Sequence, residues 1–98
     1  SDLKGIIMYA VLSLDLDKVT TTQRDKFYES LKNNQWIKIN NLTTTWYVNF
    51  KEDATESGII STAKSDVNNA AICANVQNYN AMLTVSKNKP TEFSNKIN

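Results

Sequence analysis

Between Met8 and Asp17 the chain reads MYAVLSLDLD. Met8, Ala10, Leu12, Leu14 and Leu16 alternate with Tyr9, Val11, Ser13, Asp15 and Asp17. A period of two is the mark of a strand, and the leucine side predicts the buried face. The next stretch, TTTQRDKFYESLKNNQ, changes period. Thr20 with Gln23 three residues on forms a capping box, Phe27 and Leu31 set an apolar stripe, and Asn33-Asn34 end a predicted helix. WIKI (36–39) and TWYVNF (45–50) then read as two strands of a hairpin joined by an asparagine-rich loop. From about Thr55 to Asn75 the residues Ile59, Ala63, Val67, Ala70 and Ala74 recur at helical steps, and the alanines suit close packing on a sheet. YNAMLTVS (79–86) is a last strand, with Tyr79, Ala81, Leu83 and Val85 on one side.

Strand, helix, strand, strand, helix, strand, with right-handed crossovers, predicts an α+β domain of ferredoxin-like type. Its plan is βαββαβ, a four-stranded antiparallel sheet with both helices on one face. The pattern assigns this domain to residues 8–90. Residues 1–7 are read as an extension ahead of Met8, and 91–98 as a polar tail in which Phe93 is a candidate anchor for a further strand.

Composition narrows the chemistry. A chain of 98 residues forms one domain with one core. A net charge of +1 gives no bulk field toward nucleic acid or an anionic membrane, so any such contact needs a local patch. The chain has no histidine, which removes the usual general base and imidazole metal sites. Any catalysis falls to carboxylates, lysines, tyrosines or hydroxyls. Cys73 is the only cysteine, which excludes an internal disulfide and suits a reducing compartment. On the flank of the second helical stripe, it is expected to be a small packing residue. No apolar run is long enough for a membrane-spanning helix, and the expected location is cytoplasmic.

With the leucine side of the first strand against the helices, the opposite face of the sheet is expected to display Tyr9, Val11, Ser13, Trp36, Lys38, Tyr47, Asn49, Met82 and Thr84. So much apolar surface calls for a cover. One cover is a second copy of the chain, with Tyr9, Val11, Tyr47 and Met82 at the dimer interface. Another is RNA. Tyr9 and Tyr47 lie on the two central strands, where RNA-recognition motifs stack bases. YVNF (47–50) is similar to the end of one of their signatures and MYAV (8–11) to the other, while Thr43 and Thr44 stand where a basic residue and a glycine belong.

Asp15 and Asp17 end the first strand, in a corner predicted to adjoin Thr43–Thr45, Asn78–Asn80, Lys38 and Asn40. Carboxylates two apart on a strand are about 6.6 Å apart at the backbone and can share a hydrated magnesium or manganese. Such a cation activates water and clamps a phosphate, as a histidine-free nuclease requires. The same pair also suits a solvated strand end just ahead of a helix N-terminus.

The first strand, the helix, the hairpin and the whole order of elements resemble the small CRISPR-associated nucleases of spacer integration, and are similar in plan to the GhoS antitoxin endoribonuclease. The resemblance implies a homodimer assembled through the sheet and a catalytic aspartate mapping onto Asp15, or else Asp17. The first helix here is mixed in charge and the hairpin reads WIKINNLTTTWYVNF, which turns the implied activity from DNA integration toward RNA cleavage or toxin neutralisation. In that reading Asp15 and Asp17 hold the metal, and Lys38 or Arg24 contacts phosphate. The alternative is a non-enzymatic dimer that binds a protein partner or RNA.

Overall fold

The computed structural model describes residues 7–95, so the expected extension before Met8 and tail after Pro90 lie partly outside them; Phe93, which lies inside, is exposed and in no strand, so it anchors none. The elements are β1 (Met8–Leu16), α1 (Thr21–Asn33), β2 (Ile37–Lys38), β3 (Thr45–Phe50), α2 (Glu56–Ala74) and β4 (Tyr79–Ser86). All pairings in the one sheet are antiparallel, in the order β2-β3-β1-β4. This is the ferredoxin-like βαββαβ arrangement.

Local chemistry sets the helix ends. Thr20 accepts from the Gln23 amide while the Gln23 side chain accepts from the Thr20 amide, so the capping box forms as its spacing predicts. Thr55 caps α2 by accepting from the Gly58 amide, and Asn75 ends it in the left-handed region at φ 55°. The Gln23 side-chain amide also donates to the Asn75 carbonyl, joining the start of α1 to the end of α2.

The core lies between the helices and one face of the sheet. Ala10, Leu12 and Leu14 of β1 meet Trp46 and Val48 of β3, with Phe27 and Leu31 of α1 and the Ile59, Ala63, Val67, Ala70 and Ala74 stripe of α2. Trp46, Phe27, Leu12, Leu31 and Ile59 are the largest fully buried side chains. Each contributes about 1.5–3 kcal/mol relative to exposure.

Two expectations are corrected. Trp36 and Lys38 belong to the helix face, not the open face. In the ladder Lys38 stands opposite the buried Trp46, and Ile37 stands opposite Tyr47. Trp36 is buried and its indole N–H donates to Asp66 of α2. That bond and the ring's area outweigh burial of the smaller Ile37, while Ile39, just past the strand, is buried as expected. Cys73 is exposed rather than packed, and so is its neighbour Ile72. α2 buries its stripe and leaves this flank in solvent.

Candidate functional site

The register places Asp15 where the alternation predicted, opposite Asn80 on the open face at the carboxyl end of β1. Beside it the Leu14 amide donates to the Thr44 carbonyl, which fixes the hairpin loop against β1. Asp15, Ser13, Thr44, Asn80 and Met82 line one shallow cleft. The Asp15 carboxylate is exposed, with hydroxyl and amide oxygens around it.

Asp17 does not share that cleft. It lies beyond β1, where its amide donates to the Asn78 carbonyl. Its cleft contains Lys18, Gln23, Asn75, Gln77 and Asn78, near the capped start of α1. The two carboxylates thus line different clefts. Among the described residues no group of three or more Asp, Glu, Cys or His could hold a metal ion.

Arg24 and Lys38 do come together. With Tyr28, Thr43 and Thr44 they line an open cleft of about 350 Å³. Arg24 comes from α1, Lys38 from the β2 edge, and the threonines from the loop between β2 and β3. The loop is held by Tyr28, whose hydroxyl donates to the Thr43 carbonyl at 2.9 Å and whose ring packs edge-on against Trp46. Thr44, at the end of the sheet, lines both this basic cleft on the helix face and the Asp15 cleft on the open face. Sequence reasoning had Lys38 near this corner but on the wrong face, and it missed Tyr28. The sign of Tyr28 was its place one residue after the apolar Phe27, on a helix with a narrow stripe.

On the open face, Tyr9, Val11 and Tyr47 are each half-buried by their neighbours, and Met82 is 67% exposed. Val11 stands between Tyr47 and Thr84 in the ladder, and Ile37 extends that row beyond Tyr47. Ile37 is 49% exposed and is the member of this patch that the sequence reading omitted. The result is an apolar band from the β2 edge across the two central strands, with Tyr9 and Met82 diagonal to it.

A divalent cation suits the Asp15 cleft in one form only. Magnesium keeps much of its water and accepts one or two carboxylates together with substrate phosphates. One exposed carboxylate with Asn80 and Ser13 near it fits a cation that arrives with a phosphate; it does not fit a permanent, fully protein-ligated ion.

Comparison with known proteins finds no matching family model, no matching curated protein and no matching solved structure. No helix among the described residues is long and apolar enough to cross a membrane.

Proposed function

We propose that this is a small homodimeric protein of the nuclease and antitoxin type that binds RNA and cleaves it with a divalent cation. The observation that carries this reading is the sharing of Thr44 by an acidic cleft at Asp15 and a basic cleft at Arg24 and Lys38. An RNA strand that passes round this end of the sheet would meet both signs of charge, one on each face. Guanidinium and ammonium groups hold the phosphate oxygens, and a carboxylate holds the metal.

Asp15 is the catalytic and metal-holding residue. A bound magnesium or manganese would supply an activated water and neutralise charge on the phosphate. Arg24 and Lys38 grip the neighbouring phosphate, and Tyr28 keeps the loop that separates the clefts in place. Asp17, in its own cleft, adds negative charge near the site without touching the same ion. The open band of Tyr9, Val11, Tyr47, Met82 and Ile37 is covered by a second copy, which makes the dimer. Stacking of RNA bases on Tyr9 and Tyr47 would compete with that cover.

The test is cleavage of RNA and DNA with magnesium or manganese, with Asp15→Asn run beside the parent. RNA cutting that needs metal and falls at least about 100-fold in Asp15→Asn, with the dimer intact, is the expected result. No cutting by the parent would leave a non-enzymatic dimeric interaction module, the reading the apolar band supports without the clefts.

A further inference from the structure

β4 is an edge strand of unusual character. The opposite edge, β2, is two residues long and carries Lys38. β4 is eight residues long, carries no charge and no proline, and follows β1 in unbroken register from Tyr79 to Ser86. Short length, lysine, proline and bulges are the devices by which proteins keep edges from pairing. β4 uses none of them until Lys87, Lys89 and Pro90, after its end. Among the described residues nothing pairs with its outer side.

The direction of its free groups follows from the ladder. The Asp17 amide bonds the Asn78 carbonyl, so in antiparallel alternation Asn80, Met82, Thr84 and Ser86 turn their backbone groups to β1. Tyr79, Ala81, Leu83 and Val85 turn theirs outward. The same four point their side chains toward the helix face. There α2 leaves a mostly apolar groove of about 310 Å³, with Ile60, Val67, Ala81 and Leu83 in its wall and Lys64 of α2 beside them. Ala81 is exposed in that groove and Leu83 only half-buried.

We propose that the outer edge of β4 pairs antiparallel with β4 of a second copy, joining two sheets into one. The strand is complementary to itself. Centred on Met82, the two-fold sets Tyr79 opposite the partner's Val85 and Ala81 opposite the partner's Leu83, large against small in the groove. Asn80 meets the partner's Thr84 on the open face. All four outward-turned residues of each strand then bond, about eight backbone hydrogen bonds in all. Within the paired strands no like charges are opposed.

The ends are complementary in charge. Asp15 near the end of β1 and Asp17 just past it lie beside the start of β4, and an antiparallel partner brings its Lys87 and Lys89 to that same end. Two strand spacings, roughly 10 Å at the backbone, separate them. That distance is within reach of lysine side chains and comparable to the Debye length of about 8 Å in physiological salt. The axis of this pair stands perpendicular to the sheet, so both apolar bands face the same way and stay open to the contact proposed above. Edge and face contacts together build a tetramer, a common closed assembly.

Light scattering on gel-filtered protein tests this with Ala81→Pro, Tyr47→Asp and the double variant. Proline at Ala81 removes an outward amide and none that bonds β1, so the monomer fold tolerates it. Ala81→Lys, which sets a charge in the groove, is the second probe should the proline variant lose its circular dichroism. A tetrameric parent, dimeric single variants and a monomeric double variant are expected. An Ala81→Pro protein of parental mass that is still folded overturns the edge pairing. In that case a monomeric Tyr47→Asp preserves the face dimer. A parental dimer that Ala81→Pro reduces to monomer while Tyr47→Asp does not would retain the edge pairing and remove the face contact.

Discussion

Trp36 and Trp46 show how single side chains set this molecule. Both are buried, but their indole nitrogens differ. That of Trp36 donates to Asp66 Oδ2 at 2.9 Å, while that of Trp46 has no partner. A buried donor deprived of its acceptor costs about 1–3 kcal/mol. Asp66→Ala should therefore lower stability by about that amount, and Asp66→Asn, which keeps a side-chain oxygen in place, by clearly less. Urea unfolding of the two variants measures the difference. The Trp36 bond is also what the hydropathy pattern could not show. WIKI offers two isoleucines against a tryptophan and a lysine, and the isoleucines look like the buried pair; Ile39 is buried, but Ile37 yields its place to Trp36. The deciding partner, Asp66, is 30 residues away on another element.

Among the elements, β1 and α2 were the most legible, and for the same reason. Each buries one uninterrupted stripe, so its period in sequence is its face in space. Leu12 and Leu14 are buried and Asp15 is exposed, as the alternation requires. β2 is too short to carry a period, and its face is decided by tertiary contacts. The clefts were less legible still, because each gathers residues from three elements: Arg24, Lys38 and Thr44 have no spacing in common. For α2 the small stripe residues are the structural point. Ala70 is fully buried in the core. Ala70→Leu adds volume to a filled space and should cost about 1–3 kcal/mol, seen as a lower denaturation midpoint at constant m-value. Ile72→Ala, two residues on but 71% exposed, should stay within about 0.5 kcal/mol.

For the whole molecule, the distribution of charge and apolar surface separates two kinds of association. The net charge of +1 means that any hold on RNA comes from placed cations, and Arg24 and Lys38 are the two that share a cleft. Binding that neutralises two phosphates of a single strand should fall with salt at a logarithmic slope of about −1.4, or about 25-fold from 50 to 500 mM. The band of Ile37, Tyr47, Val11 and Met82 carries no charge, and assembly through it buries apolar area that salt screening does not weaken. RNA affinity per site should thus decline over a range of salt in which the assembly keeps its mass. Lys38→Ala should lower affinity and make the slope shallower by about 0.7, with no change in mass, because Lys38 lies on the helix face away from the band. Fluorescence anisotropy with a labelled single-stranded RNA, run beside light scattering at the same salt concentrations, measures both. A slope that Lys38→Ala leaves unchanged would mean that this cleft does not hold the phosphate, and the RNA reading would lose its support.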